Sequence, residues 1–191
     1  MTFVIHGPYV LASVTSAQID AAHNMRRERD AAYGNVFNVA ASDERWVGDL
    51  GEIVVDSWLT ARRGHGYQWL VTDAAGKPDF VLPPATRVGV KTVKRQGGMQ
   101  PDYTAQITAK HAHEPIDHYC FLSYELPKQR MWLLGGIAKA AFLAGARLYK
   151  AGEQVHPKYV IRPGHEIYNI GVLKLIPPDA WLAEAWPPSA V

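Results

Sequence analysis

The spacing of apolar and polar positions predicts helices in the first third of the chain. A polar stretch rich in Ala, Arg and Glu predicts a helix over residues 16–33, whose arginines either touch phosphate or keep its surface solvated. A loop follows over residues 34–43, and a second helix is predicted over residues 44–59 because apolar residues recur there at helical spacing. The apolar face of this helix consists of Val47, Leu50, Val54 and Trp58. Its acidic face consists of Asp49, Glu52 and Asp56.

Two glycines lie inside the second predicted helix. Gly48 and Gly51 each cost about 1 kcal/mol relative to Ala in a helix interior. Either another backbone or a ligand approaches the helix next to Glu52, or the helix begins later than its pattern indicates.

Short apolar runs later in the chain predict a β-sheet. Strands are predicted over residues 67–71, 80–82, 88–93, 118–124, 130–134 and 167–175 and near Tyr159, with a turn over 73–76 and a loop over 96–100. A further helix is predicted over residues 137–149, and a short one between the prolines of the tail. Helices and strands alternate at first, and strands then follow in pairs. The pattern therefore predicts an α/β domain with a central mixed β-sheet flanked by helices.

The composition is that of one folded domain. The chain has 191 residues, 48% hydrophobic and 20% charged, which excludes extended disorder and collagen-like repeats. We divide it into a helical extension (1–43), a core (44–175) and a Pro- and Trp-rich tail (176–191), which docks on its own domain or on another subunit. We expect neither a secretory signal nor a membrane span. The lone Cys120, in an apolar run, suits a buried strand and the reducing cytoplasm.

Charge is distributed unevenly along the chain. Residues 43–56 carry five acidic side chains against one arginine, whereas residues 76–113 carry six basic side chains against two acidic ones. The first segment is suited to hold a cation and the second an anion, although two solvated faces that pair with each other explain the same pattern.

A predicted hairpin carries an acid and a base. With its turn centred on Ala85, Asp79 lies opposite Lys91 and Phe80 opposite Val90. The apolar side of the hairpin then consists of Phe80, Leu82, Val88 and Val90. Asp79 and Lys91 share the other side, either as an ordinary surface ion pair or as part of a site.

Glu52, on the preceding helix, adds a second carboxylate to this pair. Two carboxylates can coordinate Mg²⁺ with waters completing its shell, and a nearby ammonium can orient a water or stabilise charge on a phosphate. These three groups are the ones that phosphodiester hydrolysis needs.

At these positions the chain resembles the PD-(D/E)XK nuclease superfamily, the restriction-endonuclease-like fold that also includes phage exonucleases and archaeal Holliday-junction resolvases. The matching motifs are Gly48-Asp49-Leu50-Gly51-Glu52, Pro78-Asp79 and Gly89-Val90-Lys91-Thr92-Val93. They cover residues 47–93, and a looser similarity extends to residue 175. The resemblance implies a restriction-endonuclease-like α/β fold and a DNA-cleaving enzyme that uses Mg²⁺, or Mn²⁺ in its place.

The resemblance also implies a role for each matching residue. Glu52 and Asp79 correspond to metal ligands, and the backbone carbonyl of Val90 to a further ligand. Lys91 corresponds to the residue that positions or activates the attacking water.

One acid of the family pattern is missing. The family usually has Asp or Glu two residues before the lysine, where this chain has Gly89. Either another acid replaces it, for which Asp56 and Asp73 are candidates, or the enzyme is weak, needs Mn²⁺ or is inactive.

Basic and aromatic residues that follow the hairpin are candidates for nucleic-acid contacts. They are Lys94, Arg95, Tyr103, Lys110 and His111. Phosphate contacts by the basic residues, and base stacking by Tyr103, are the functional interpretation, whereas an exposed basic loop is the structural one. The pair His111 and His113 lacks the paired cysteines of a structural zinc site, so dedicated zinc binding is disfavoured.

The sequence favours a cytoplasmic, metal-dependent nuclease with DNA as its partner and no membrane contact. A homodimer is allowed, since restriction-like enzymes that cut both strands often act as dimers. Two alternatives stay open: a DNA-binding relative whose hydrolytic site has decayed at Gly89, and a structural or interaction protein of a phage or mobile element.

Overall fold

A computed structural model describes residues 1–34, 44–72, 76–157 and 159–188. Within these ranges the helices are α1 (Ser16–Tyr33), α2 (Trp46–Arg63), α3 (Lys139–Gly145) and α4 (Pro178–Ala185). The strands are β1 (Phe3–His6), β2 (Tyr9–Ser13), β3 (Gln68–Trp69), β4 (Phe80–Leu82), β5 (Thr86–Arg95), β6 (Thr104–Thr108), β7 (His118–Glu125), β8 (Arg130–Ala138), β9 (Arg147–Tyr149), β10 (Gln154–His156), β11 (Tyr159–Val160) and β12 (Ile167–Gly171). Short 3-10 helices cover Ala109–His113, Leu126–Lys128 and Val172–Lys174.

The central sheet has seven strands in the order β1-β2-β8-β7-β5-β4-β3. Strands β5 and β7 are parallel, while the other neighbours in this sheet are antiparallel, so the sheet is mixed as predicted. Strands β6, β12 and β9 form a smaller sheet, and β10 pairs with β11. Helix α2 packs on β5 and β7, and α3 and α4 pack on β8. The prediction of an α/β domain with a mixed central sheet and flanking helices is therefore confirmed.

Strand β7, in the middle of the central sheet, is buried on both faces. Along β7, Cys120 and Leu122 join the core under α2, while Tyr119 and Phe121 join a second core shared with the smaller sheet. A strand covered on both sides needs no polar alternate positions, which explains its continuous apolar run. Cys120 is buried in this strand, as the sequence predicted.

The first two helices agree closely with their predictions. Helix α1 has the predicted bounds and begins with a capping box between Thr15 and Gln18. Helix α2 begins two residues later than predicted and continues to Arg63. The linker over residues 35–43 and the turn residues 73–75 lie outside the described ranges.

The predicted hairpin register was wrong by two residues. Phe80 pairs with Val88, and Leu82 with Thr86, because the connection contains three residues instead of five. Since side chains alternate between faces with a period of two, a shift of two keeps every side chain on its predicted face. The four apolar residues of the hairpin are accordingly buried: Phe80, Leu82, Val88 and Val90.

The helix predicted over residues 137–149 was largely wrong. Strand β8 continues to Ala138, α3 covers only Lys139–Gly145, and Arg147–Tyr149 is β9. The sequence also missed β1, β2, β6 and β10, and the strand predicted over 167–175 ends at Gly171. The four missed strands contain only three to five residues, and an alternating pattern over so few positions is a weak signal.

Both ends of the chain belong to the same core. The region before residue 44, expected to be a helical extension, also supplies β1 and β2, and β2 pairs with β8. In the tail, Trp181 and Leu182 of α4 are buried in the core that includes Trp58 of α2. The tail therefore docks on its own domain. None of the helices in the described ranges is both long and apolar enough to cross a membrane.

Candidate functional site

Three predicted site residues, one on a helix and two on a hairpin, meet at one cavity of about 360 Å³. Glu52 comes from α2, Asp79 from the residue before β4, and Lys91 from β5. Val90, whose carbonyl was predicted to bind metal, lies on the wall of the same cavity. The structure thus brings together all the residues to which the family resemblance assigns catalysis.

Gly51 allows α2 to lie directly on β5. A Cβ atom built on Gly51 would lie 1.9 Å from the hydroxyl oxygen of Thr92, so a larger residue would push the helix away from the strand. Glu52 is the next residue and is carried to the cavity by this contact. Gly48 has a different environment, since a Cβ there would meet no described atom within 4 Å and the residue lines the cavity. Of these two helix glycines, only Gly51 therefore allows a close approach of the helix to the strand.

Asp79 is anchored by one oxygen. Its Oδ2 accepts a hydrogen bond of 2.6 Å from the backbone N–H of Val90, and its Oδ1 accepts none from the described residues. Burial, followed by the negative charge of Glu52, raises the pKa of Asp79 to about 7, against the opposing effects of Lys91, the Val90 N–H and Arg29. A carboxyl group in a cavity whose pKa is shifted this far by burial and a neighbouring acid is a candidate functional residue.

Glu52 is held by an arginine from α1. Only 6% of Glu52 is exposed, and each of its oxygens accepts a bond of 2.7 Å from a terminal nitrogen of Arg29. Trp69 of β3 also donates its indole N–H to Glu52 Oε2 at 3.1 Å. Glu52 thus lies in the cavity wall with a bidentate guanidinium partner.

Asp49 forms the second half of this ion-pair network. It is fully buried and accepts bonds of 2.7 and 2.6 Å from Arg26 and one of 2.5 Å from Arg29. Burial raises the pKa of Asp49, while both arginines oppose that effect. Asp49 and Glu52, on the acidic face of α2, therefore pack against α1. The sequence contained a signal for this contact, because an arginine-rich helix precedes an acidic one.

Lys91 is paired with a residue that the sequence did not single out. Its ammonium lies 3.4 Å from Glu114 Oε2, and the other oxygen of Glu114 contacts His111 Nδ1. Glu114 and His111 both line the cavity. Burial raises the pKa of Glu114, but His111 and Lys91 outweigh burial and leave it below its ordinary value. The Glu114 side chain is therefore a carboxylate held between two basic groups.

The position of the missing family acid is filled by another segment. A Cβ built on Gly89 would lie 2.6 Å from Cδ1 of Ile116 and 3.5 Å from Cδ1 of Tyr119. Ile116 and Tyr119 are buried, so no carboxylate fits at residue 89 without repacking.

The proposed replacement acids differ in their placement. Asp56 accepts a bond of 2.6 Å from the hydroxyl of Tyr67 and lies outside the part of the cavity wall formed by described residues. Asp73 lies outside the described ranges. Within those ranges, Glu114 is the carboxylate that the structure places next to Lys91.

The candidate nucleic-acid residues divide into two groups. Lys94 pairs with Glu44 at the cavity wall, His111 lines the cavity, and Lys110, the residue before His111, is exposed. The guanidinium of Arg95 instead stacks on the ring of Tyr103 at 3.9 Å and donates a hydrogen bond to the backbone carbonyl of Thr104. Arg95 and Tyr103 therefore contact each other. The first group is the better placed to contact a ligand in the cavity.

Cationic side chains, not clustered acids, face most carboxylates of the cavity. Among the residues that the structure describes, no group of three or more His, Cys, Asp or Glu side chains is arranged to hold a metal ion. The chain matches no protein-family model, and comparisons with curated proteins and with solved structures also gave no match. The chemistry of the cavity is therefore the main indication of function.

Proposed function

We propose that this protein is a metal-dependent nuclease that hydrolyses phosphodiester bonds in DNA. The observation that carries the proposal is the convergence of Glu52, Asp79 and Lys91 on one cavity. Two carboxylates and an ammonium, supplied by a helix and a hairpin far apart in sequence, are the groups that this reaction requires. The mixed sheet, with the acidic helix packed on the lysine strand, supports a restriction-endonuclease-like fold.

The donor set fits Mg²⁺ bound largely by water. Mg²⁺ in such sites takes one or two carboxylates and keeps several waters, so a cluster of three acids is not required. Asp79 offers Oδ1, which accepts no bond from described residues. Glu52 accepts three N–H bonds, and a carboxylate has about four lone-pair sites, so one remains for a cation. The Val90 carbonyl is the third proposed ligand, and Mn²⁺ suits the same oxygens.

Each residue then has a defined task. Bound Mg²⁺ would neutralise phosphate charge and lower the pKa of a water. Asp79 and Glu52 would hold the cation, and the Val90 N–H fixes the orientation of Asp79. Lys91 would donate a hydrogen bond to the attacking water and stabilise the negative charge that develops on the phosphate as the water oxygen bonds to phosphorus and the bond from phosphorus to the leaving DNA oxygen breaks. The attacking water loses its proton to solvent, and the leaving oxygen takes one from solvent.

DNA contacts are proposed for the basic residues around the cavity. His111 lines the cavity, Lys94 pairs with Glu44 of its wall, Lys110 is an exposed neighbour of His111 in the chain, and Arg95 stacks on Tyr103. A cytoplasmic location and a homodimer complete the proposal. The buried thiol of Cys120 suits a reducing compartment, and cleavage of both DNA strands suits two active sites.

Plasmid cleavage tests this function. Purified protein is incubated with supercoiled plasmid in Mg²⁺, in Mn²⁺ or in EDTA, and nicked and linear products are quantified. We expect cleavage only with a divalent ion and its loss in Lys91→Ala, with circular dichroism confirming that the variant is folded. Lys174→Ala, which removes an exposed lysine outside the cavity wall, is the matched control and should cleave at the wild-type rate. Metal-independent cleavage, or an active Lys91→Ala, would refute the proposal.

A second function, DNA binding without hydrolysis, is favoured by two observations. Ile116 fills the position of the missing acid, and Arg29 already binds both oxygens of Glu52, which a metal would otherwise use. Salt-sensitive DNA binding with no cleavage in any metal would establish this function in place of the first. Absence of both would leave the third class, a structural or interaction protein.

A further inference from the structure

The segment Glu114-Pro115-Ile116 has two contacts with strand β5. Ile116 packs onto Gly89, where a Cβ would lie only 2.6 Å from its Cδ1. Two residues earlier in the same segment, Glu114 contacts the ammonium of Lys91 at 3.4 Å. One short stretch of chain therefore fills the space of the absent acid and also supplies a carboxylate to the lysine two residues farther along β5.

Glu114 is held in this position from several directions. His111 contacts its second oxygen, and Lys139 donates to its backbone carbonyl at 2.5 Å. The hydroxyl of Tyr119 bonds to the carbonyl of His111 at 2.9 Å, which fixes the turn that precedes Glu114. The Glu114 side chain is only 11% exposed. A carboxylate restrained on both sides is suited to orient a flexible partner such as lysine.

We propose that Glu114 is the positioning residue of Lys91, supplied by the same segment whose Ile116 fills the space of the acid that is absent at residue 89. This inference rests on the proposed nuclease function. Lysine has a long flexible stem, and its ammonium can adopt many positions unless a partner fixes it. The Glu114 carboxylate holds the ammonium over the cavity, leaving its other N–H groups for the attacking water and the phosphate. Glu114 acts through Lys91 and is not itself a metal ligand.

The test compares single-turnover cleavage by Glu114→Gln and Glu125→Gln. Glu125 is a carboxylate that pairs with Arg130 and Trp132 outside the cavity wall, and its side chain is 2% exposed against 11% for Glu114, so its variant reports the general effect of removing a buried charge. We expect Glu114→Gln to cleave about tenfold more slowly or worse at saturating DNA, because a mutated supporting group typically costs 10–100-fold. The Kd for DNA, measured in EDTA, should change less than about twofold, since the lost charge acts on the chemical step. Glu125→Gln should cleave at the wild-type rate.

A double variant separates positioning from an independent role. If Glu114 acts only through Lys91, the residual single-turnover rate of Glu114→Gln combined with Lys91→Ala should be no lower than that of Lys91→Ala alone. Wild-type cleavage by Glu114→Gln, an equal loss in Glu125→Gln, or rate losses that multiply in the double variant would each overturn the inference. An inactive wild-type protein would instead refute the nuclease function on which the inference depends, so the two failures are distinguishable.

Discussion

Gly51 lies so close to Thr92 that helix α2 and strand β5 leave no space for a side chain between them. Because an added Cβ would approach the Thr92 hydroxyl to 1.9 Å, Gly51→Ala should lower the free energy of unfolding by about 1–3 kcal/mol, the usual cost of overpacking. Gly48→Ala is the control, and it should raise stability by up to about 1 kcal/mol, since its Cβ meets no described atom and Ala favours a helix. Urea denaturation measures both, and equal effects would contradict the close approach.

The stability of the protein should depend on the ionisation of Asp79. Its pKa is raised to about 7 in the folded protein, against about 3.9 in an unfolded chain. Between these values the folded state keeps a proton that the unfolded state has lost, so the contribution of Asp79 to stability falls as pH rises from about 4 to 7.

Asp79→Asn tests this linkage, because asparagine keeps an oxygen that can accept the Val90 N–H but does not titrate. In metal-free buffer, the free energy of unfolding of the variant relative to wild type should increase from pH 5 to pH 8. A difference that is constant with pH, or that falls, would be inconsistent with a raised pKa.

Removal of Arg29 should lower the free energy of unfolding substantially. Arg29→Met leaves the buried carboxylates of Glu52 and Asp49 with fewer cationic partners, and breaking a buried ion pair typically costs about 3–5 kcal/mol. Arg27→Met changes an exposed arginine on the same helix and should alter stability by less than about 0.5 kcal/mol. Urea midpoints of the two variants give the comparison. Similar midpoints would show that the network around α1 contributes little.

Substitutions at Gly89 and Ile116 should have non-additive effects on the free energy of unfolding. Gly89→Ala should lower the free energy of unfolding by about 1–3 kcal/mol, because its Cβ would meet Cδ1 of Ile116. Ile116→Val removes that methyl and alone costs about 0.5–1.5 kcal/mol. The double variant should therefore lose less stability than the two single losses together. Strictly additive losses in a double-mutant cycle would rule out direct contact.

Helix α4 should be part of the cooperative fold. Trp181 is 1% exposed, lies against Gly136 and stacks near Trp58, so Trp181→Ala should cost about 3–5 kcal/mol. Leu173→Ala, at an exposed position, should change stability by less than about 0.5 kcal/mol. Thermal denaturation distinguishes the two. A Trp181→Ala variant with an unchanged melting temperature would mean that the tail docks only loosely.

The local pattern of apolar and polar residues was sufficient to predict those helices and strands whose periodicity is visible within the segment itself. The bounds of α1 and β4 were predicted correctly, and Phe80, Leu82, Val88 and Val90 share a buried face as their alternation indicated. The three residues of the candidate site were also identifiable, because Glu52, Asp79 and Lys91 lie in motifs of fixed spacing. Helical and strand periodicities are properties of short segments, so the sequence alone determined these features.

Only the tertiary structure decided which residues around the cavity contact each other. Nothing periodic in the sequence pairs Arg29 with Glu52, Glu114 with Lys91 or Ile116 with Gly89, because each contact joins residues more than twenty positions apart. Such contacts depend on how helices and sheets pack. The pattern of apolar and polar residues constrains that packing only indirectly. The sequence thus determined which chemical groups the cavity contains, and packing determined which partners hold them there.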